Sequence, residues 1–251
     1  MNEFEFRQLH ISPEGPLVVF VTAADMPSQG EELLARLSEA GTPAVSLMEA
    51  KVPSWDDYLT PWPAAGILRG RVFGGHADAF LEELLKELSK IPASTVSCNR
   101  KIFLAGYSLA GLFSLWAMTR SDIFSGCVCC SGSLWYPGFT EYMEEVLWGE
   151  AEGFHTEKEI YLSLGKKEPL TKHPVMSRVG EATEQIYEWL KRNPHVTRAV
   201  FEWNEGGHFN EPLERMTRGI RSTLRSGPRK TDVHRTSCAL CATEAPKDGL
   251  L

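Results

Sequence analysis

The sequence predicts an α/β protein built on a mostly parallel sheet that helices cover on both faces. Short β-branched or apolar runs alternate with amphipathic stretches along the chain, and this alternation is typical of parallel sheets with helical crossovers. The chain has 251 residues, of which 43% are hydrophobic, and this is enough for one large core. Right-handed crossovers would place functional loops at the carboxyl ends of the strands.

In the first half of the chain, each predicted element depends on a local pattern. Residues 17–21 form a short β-branched run that predicts a strand, and residues 31–40 place apolar side chains at helical spacing. Residues 44–48 predict a second strand. Residues 52–75 are rich in Pro, Gly and Trp and predict a long ordered loop. Leucine and phenylalanine recur on one face of residues 77–88, which predicts an amphipathic helix.

The second half of the chain repeats the alternation. Apolar runs predict strands, and apolar side chains at helical spacing predict helices. The predicted strands are 101–105, 124–130, 159–164 and 198–203, and the predicted helices are a stretch that ends near 118, then 139–147, 174–191 and 210–225.

The charge and hydropathy patterns limit the classes of partner. Lys and Arg number 26 against 33 Asp and Glu, a net charge of −7, so the chain lacks the broad positive surface of a nucleic-acid binder. No apolar run approaches the roughly 18 residues of a membrane span, and the acidic start lacks the basic segment of a secretory signal. We therefore expect a cytoplasmic protein with no nucleic-acid or membrane partner. Nothing in the sequence indicates an oligomeric state.

The cysteines and the end of the chain predict no redox or metal chemistry. Six cysteines in a chain of 251 residues do not form a disulfide framework. The residues Cys127, Cys129 and Cys130 lie in an apolar run and are predicted to be buried thiols.

A change of composition near residue 226 divides a folded domain at 1–226 from a polar, flexible tail at 227–251. The tail carries a lone Cys-x-x-Cys pair, Cys238 and Cys241. A metal or redox site would need a second pair or a His partner, so a plain tail is the favoured interpretation. We expect neither a metal nor a cofactor.

The segment 106–111, Gly-Tyr-Ser-Leu-Ala-Gly, lies between a predicted strand and a predicted helix. A tight strand–turn–helix bend of this kind exposes the Ser108 hydroxyl, and it needs small residues such as Gly106 and Ala110. The pattern favours Ser108 as a nucleophile. The alternative is a serine that only caps the helix.

A serine nucleophile needs a base, and five histidines follow Ser108 in the sequence. His208 is the histidine that follows a predicted strand at its carboxyl end, with Gly206 and Gly207 before it to let the chain turn. We therefore predict that His208 is the general base. The alternative is a structural loop histidine.

The base needs an acid that orients it, and the expected chain order is Ser, acid, His. Glu168 comes just after a predicted strand, with Gly165 before it and Pro169 after it. It is the predicted acid. Alternatively, it is a solvated loop residue that pairs with Lys166 or Lys167.

Ester or amide chemistry also needs two backbone N–H groups that bind the developing oxyanion. One is predicted at Leu109, the residue after the nucleophile. The other is predicted in the loop after the first strand, at Ala23 or Ala24, and the sequence leaves this choice open.

Three motifs together resemble the putative esterase family of α/β-hydrolases. They are the elbow Gly-Tyr-Ser-Leu-Ala-Gly-Leu-Phe, the strand end Ser-Leu-Gly-Lys-Lys-Glu and the loop Glu-Gly-Gly-His-Phe. That family includes siderophore esterases and S-formylglutathione hydrolase, and the likeness is greatest to short bacterial members without a lid domain. The resemblance implies an α/β-hydrolase fold and assigns Ser108, His208 and Glu168 as nucleophile, base and acid. Some siderophore esterases of this type use Ser and His alone, so a dyad stays open.

Aromatic residues near the predicted site indicate a substrate pocket. Trp55, Tyr58 and Trp62 either wall an acyl or aromatic pocket or anchor their own loop. Trp135 and Tyr136 follow the fourth predicted strand at the end where the site is expected.

Two arginines of the same region, Arg69 and Arg71, face either an anionic substrate or, as the favoured interpretation, solvent.

The family resemblance implies a serine esterase with a small-molecule ester substrate. An acyltransferase or thioesterase with the same residues, or a binding protein without activity, are the alternatives.

Overall fold

A seven-stranded sheet organises the computed structural model, which describes residues 4–12, 15–42, 44–66, 71–91, 100–148 and 154–224. The strands of the described chain are β1 (Glu5–His10), β2 (Leu17–Ala23), β3 (Ser46–Val52), β4 (Ala64–Ala65), β5 (Val72–Phe73), β6 (Ile102–Tyr107), β7 (Gly126–Cys130), β8 (Lys158–Gly165) and β9 (Val196–Asn204). The α-helices are α1 (Gly30–Glu39), α2 (Trp55–Tyr58), α3 (Ala77–Ser89), α4 (Leu109–Arg120), α5 (Phe139–Trp148), α6 (Val179–Arg192) and α7 (Pro212–Leu224).

The order of strands in the sheet is β1-β3-β2-β6-β7-β8-β9, and β4 and β5 form a separate two-stranded hairpin. Strand β1 runs antiparallel to β3, and all other neighbours are parallel. The predicted mostly parallel sheet is therefore confirmed. The carboxyl ends of six strands meet at one edge, which is where open α/β sheets place their sites.

Helices cover both faces of this sheet. Helices α3, α4, α5 and α6 pack on one face through a core that includes Phe80, Phe113 and Ile186. Helices α1 and α7 cover the other face, where Leu37 and Ile220 are buried. The central strands are buried on both sides, which explains why their sequences are apolar runs rather than alternating patterns.

Strand β1 is an element that the sequence reasoning did not predict. It lies at the edge of the sheet, and most of its residues are exposed or half-buried. An edge strand of this kind carries polar residues and lacks the apolar run that marks a buried strand. It is held by Phe4 and Phe6, whose rings lie 5.3 and 6.3 Å from that of Phe80.

Strand β3 continues four residues beyond its predicted end at residue 48 because a charged residue is accommodated inside it. Glu49 is buried, and its carboxylate accepts hydrogen bonds from the Ser28 hydroxyl at 2.6 Å and from the N–H groups of Gln29 and Gly30 at 3.2 and 3.1 Å. These N–H groups open helix α1, where a carboxylate is favoured. These hydrogen bonds offset the cost of burying the Glu49 carboxylate, so the strand can continue past this residue.

Two predicted segments differ in detail from the structure. The segment 52–75 was predicted as a loop without helix or strand, and the segment 174–191 was predicted as one continuous helix. The loop holds the short helix α2 and the hairpin of β4 and β5. The chain at 176–178 is a single 3₁₀ turn that leads into α6. Arg69 lies outside the described residues.

The three cysteines that were predicted to be buried are buried in the structure. Cys127, Cys129 and Cys130 are buried free thiols. Within the described ranges, no helix is long and apolar enough to cross a membrane, and no group of His, Cys, Asp and Glu could hold a metal ion. Cys238, Cys241 and the predicted tail at 227–251 lie outside the described residues.

Candidate active site

The predicted elbow is a sharp turn between β6 and α4. Ser108 has a φ of +59°, a conformation that is rare for a residue with a side chain. A Cβ atom at Gly106 would lie 2.2 Å from the carbonyl oxygen of Ala110, so only glycine lets the strand and helix approach this closely. The turn leaves the Ser108 side chain part-exposed at the carboxyl edge of the sheet.

Three side chains that the sequence places in distant loops meet at this edge. His208 Nε2 lies 3.1 Å from Ser108 Oγ, and His208 Nδ1 lies 2.8 Å from Glu168 Oε2. Ser108 follows β6, Glu168 follows β8 and His208 follows β9. Parallel strands bring these loops together because all their carboxyl ends lie on the same side.

Glu168 is buried, with 5% of its side chain exposed. Its Oε1 atom accepts hydrogen bonds from the Ser131 hydroxyl and the Gly165 N–H, both at 2.7 Å. Burial acts to raise the pKa of Glu168. Hydrogen bonds from His208, from Ser131 and from the backbone act in the opposite direction and leave the pKa below its ordinary value.

An ionised Glu168 fixes the tautomer of the histidine. A carboxylate only accepts hydrogen bonds, so His208 Nδ1 carries the proton and Nε2 is free to accept one from the Ser108 hydroxyl. The alternative interpretation of Glu168 as a solvated partner of nearby lysines does not fit its burial or its contacts with Ser131, Gly165, His208 and Arg215. Lys166 pairs with Glu205 instead.

The predicted oxyanion donors differ in what their N–H groups do. Leu109 is the first residue of α4, so its N–H has no acceptor within the helix. The Ala24 N–H is donated to the carbonyl of Val52 at 2.9 Å, which removes Ala24 from the predicted donors. Successive N–H groups of a strand point to opposite neighbours, so the Ala23 N–H points toward β6. The pairing of β2 with β6 ends at Val21, before it reaches Ala23.

A cavity of about 520 Å³ opens over the Ser108 and His208 side chains. Most of its exposed wall is apolar. The residues that line it are Asp25, Met26, Gln29, Trp55, Asp56, Arg71, Phe73, Tyr107, Ser108, Leu109, Ser133, Trp135, Met176, His208, Phe209 and Pro212.

Two of the five predicted pocket residues, Trp55 and Trp135, line this cavity. The other three do not. The Tyr58 ring packs on Phe4 at 4.9 Å.

Trp62 and Tyr136 instead join the two loops that carry them. Trp62 Nε1 donates to the Pro137 carbonyl at 2.8 Å, and the buried Tyr136 donates its hydroxyl proton to the Trp62 carbonyl. Tyr58, Trp62 and Tyr136 therefore do not line this cavity, and an aromatic-rich sequence does not reveal which way each ring faces.

Arg71 lies on the cavity wall and forms an ion pair with Asp56, with 53% of the arginine side chain exposed. Neither of the two interpretations of Arg71 describes it fully, because the side chain lines the cavity and its charge is paired with Asp56. The pair leaves this part of the wall polar and close to neutral.

Four residues that contact Ser108, Glu168 or His208 were not predicted. Ser131 and Ser133 follow β7, and the Ser133 hydroxyl lies 3.3 Å from that of Ser108. The Tyr107 hydroxyl donates to the His208 carbonyl, and the buried Arg215 contacts Glu168 at 3.3 Å. A strand-end position is a signal for the two serines, whereas no local pattern marks Arg215.

A mostly parallel sheet with a strand–Ser–helix elbow and this chain order of side chains defines the α/β-hydrolase fold. The profile of the family described as Putative esterase matches residues 52–219. The chain therefore belongs to the putative esterase family, and it is a carboxylic ester hydrolase.

Solved structures with low sequence identity share the fold. Siderophore hydrolase EstA from Aspergillus nidulans is 17% identical over 88% of this chain and 89% of its own, with a TM-score of 0.63. An IroE-like serine hydrolase from Shewanella oneidensis is 19% identical over 88% and 79%, with a TM-score of 0.66. Acyl-protein thioesterase 2 from Zea mays is 16% identical over 88% and 99%, with a TM-score of 0.51. Among curated protein sequences, none matches this chain.

Proposed function

We propose that this protein is a serine esterase that cleaves carboxylic esters through an acyl-enzyme. The observation that carries the proposal is the continuous contact from Glu168 through His208 to Ser108, at 2.8 and 3.1 Å. These distances lie within the range for a nucleophile, a base and an orienting acid.

In the first half of the reaction, Ser108 Oγ attacks the ester carbonyl carbon while His208 Nε2 takes the hydroxyl proton. Glu168 stabilises the imidazolium that forms. The tetrahedral oxyanion accepts hydrogen bonds from the Leu109 N–H and, in our proposal, from the Ala23 N–H. The C–O bond of the ester then breaks, and the leaving alcohol takes the proton from His208.

In the second half, water replaces the alcohol. His208 takes a proton from the water, whose oxygen attacks the acyl carbon, and the same donors hold the second oxyanion. The bond to Ser108 Oγ breaks, His208 returns a proton to it, and the carboxylic acid leaves.

The cavity supports a substrate with an uncharged, apolar acyl group. Its walls near the reacting atoms include Trp55, Phe73 and Trp135, which would contact hydrocarbon or aromatic groups by burial of apolar surface. Among the described residues that line the cavity, Arg71 is the one arginine or lysine, and it is paired with Asp56. A short acyl ester fits this description. Two of the solved neighbours are siderophore hydrolases, so a siderophore ester belongs in the panel of substrates.

The test uses p-nitrophenyl butyrate as substrate and a fluorophosphonate probe that labels activated serines. We expect Ser108→Ala to lower kcat by roughly 10³-fold or more and to abolish labelling, with an unchanged circular dichroism spectrum. The matched control is Ser133→Ala, which removes the neighbouring hydroxyl and should still be labelled.

If the wild-type protein is not labelled, or if Ser108→Ala is labelled as strongly as wild type, the proposal is overturned. A panel with matched esters and thioesters, and with an added alcohol acceptor, separates an esterase from a thioesterase or an acyltransferase by the products formed.

A further inference from the structure

Arg215 is a buried cation at the centre of the candidate site, although it lies on helix α7. Its side chain is 2% exposed. Nη1 donates to the Ser131 hydroxyl at 2.9 Å, to the Tyr107 hydroxyl at 3.1 Å and to Glu168 Oε1 at 3.3 Å. One guanidinium nitrogen thereby contacts groups at the carboxyl ends of β6, β7 and β8.

The other terminal nitrogen contacts the loop that carries the histidine. Arg215 Nη2 donates to the carbonyls of Glu205 and Gly207, both at 3.0 Å. Glu205 and Gly207 lie in the short segment between the end of β9 and His208. The same side chain therefore joins the acid, at Glu168, to the backbone that carries the base.

Arg215, Glu168 and the loop after β9 lie so close to the end of β8 that residue 165 must be glycine. A Cβ atom at Gly165 would lie 2.7 Å from the carbonyl oxygen of Gly206 and 3.0 Å from both Arg215 Nη2 and Glu168 Oε1. Any side chain at that position would displace the backbone of the loop after β9 and would press on the guanidinium and the carboxylate.

The chemistry of the contacts requires arginine rather than lysine. A guanidinium presents five N–H donors in a planar fork and stays charged, whereas an ammonium is a compact point charge with three donors. Arg215 is surrounded by five acceptors, which lie at or just beyond the carboxyl ends of four strands. A lysine would keep the charge opposite Glu168 and would lose the bridge to the His208 loop.

We infer that Arg215 is a positioning residue, which holds Glu168 and the His208 loop in one geometry and so keeps the imidazole in line with Ser108. This inference rests on the proposed esterase function. Arg215 does not contact Ser108, and it acts on the reaction by holding the His208 loop in register with Glu168.

The test is a double-mutant cycle of Arg215→Lys and Glu168→Gln with p-nitrophenyl butyrate, at a temperature where every variant is folded. We expect Arg215→Lys to lower kcat about ten- to hundred-fold, since small misplacements of reacting groups cost this much, with KM little changed. In the Glu168→Gln background, the same substitution should lower kcat by no more than about three-fold, because the bridge serves to align the imidazole with the Glu168 carboxylate and that alignment is already lost.

The control is Arg218→Lys, one turn along α7, where the arginine donates to Asn204 at 2.8 Å and is 46% exposed. This variant should keep the wild-type kcat. If Arg215→Lys does not fold, Tyr107→Phe takes its place, since it removes one acceptor of Arg215 and the hydroxyl that holds the His208 carbonyl.

Each outcome separates the inference from the proposed function. Independent effects of Arg215→Lys and Glu168→Gln, or a loss that appears only in KM, would overturn the positioning role while fluorophosphonate labelling of Ser108 stands. If Glu168→Gln alone keeps full activity, the site is a Ser–His dyad, and a role through Glu168 is overturned as well. If Ser108 is not labelled in the wild-type protein, the proposed function itself fails.

Discussion

At the scale of single residues, Glu168 shows how a buried carboxylate is kept ionised. Its Oε1 atom accepts from Ser131, Gly165 and Arg215, and its Oε2 atom faces His208. Burial alone favours the neutral acid, and these donors favour the anion. The pKa of Glu168 is lowered as a result, so its charge contributes to the free energy of unfolding.

This lowered pKa gives a stability prediction with a definite sign. The contribution of Glu168 is fully present above the pKa of a glutamate in the unfolded chain, about 4.3, and it is lost as the pH falls through the lower folded value. The free energy of unfolding of wild type minus that of Glu168→Gln should therefore be larger at neutral pH than in acid. Urea denaturation of both proteins at several pH values measures this difference, and a difference that stays constant would contradict the prediction.

At the scale of elements, the loop after β9 depends on one of its two glycines more than on the other. Gly206 has a φ of +86°, and a Cβ atom there would lie 2.4 Å from Asn210 Cγ. A Cβ atom at Gly207 would have its nearest neighbours 3.9 Å away, which is ordinary van der Waals contact. The first glycine is required by the turn, and the second is not.

We therefore expect Gly206→Ala to destabilise the protein by about 1–3 kcal/mol and to lower kcat, because the loop carries His208. Gly207→Ala is the matched control and should retain both the melting temperature and kcat within error. Thermal unfolding and steady-state kinetics of the two variants test this. Equal losses in both variants would show that the loop tolerates neither side chain, contrary to the geometry.

At the scale of the whole molecule, Phe80 joins elements that are distant in sequence. It is fully buried on α3, and its ring lies 4.7 Å from that of Phe113 on α4. Phe4 and Phe6 attach the edge strand β1 to it from the other side. The packing of the edge strand thus depends on the same core that supports the elbow helix.

Truncation of this core should cost far more than truncation of an exposed ring. We expect Phe80→Ala to lower the free energy of unfolding by about 3–5 kcal/mol. Phe209→Ala, at a residue that is 89% exposed, should change it by less than about 0.5 kcal/mol. Urea unfolding of both variants is the measurement, and a cost at Phe80 as small as that at Phe209 would contradict the packing described.

Particular residues show how far the sequence reasoning reached. Ser108, His208 and Glu168 were predicted from their positions after strands, and the structure brings them within hydrogen-bond distance. Ala24 was not separable from Ala23 by sequence, because the choice depends on which neighbouring strand each N–H faces. Strand β1 was missed because its half-exposed residues lack a buried-strand pattern.

The sequence by itself determined the alternation of strands and helices and the three strand ends that carry Ser108, Glu168 and His208. These features are encoded locally, by apolar runs, glycines and the parallel-sheet rule. Only the tertiary structure decided which aromatic rings line the cavity and that Arg215 lies at the centre of the site. Its partners Tyr107 and Glu168 are 108 and 47 residues away along the chain. Contacts over such separations leave no periodicity in a sequence, because they depend on how whole elements pack rather than on neighbouring residues.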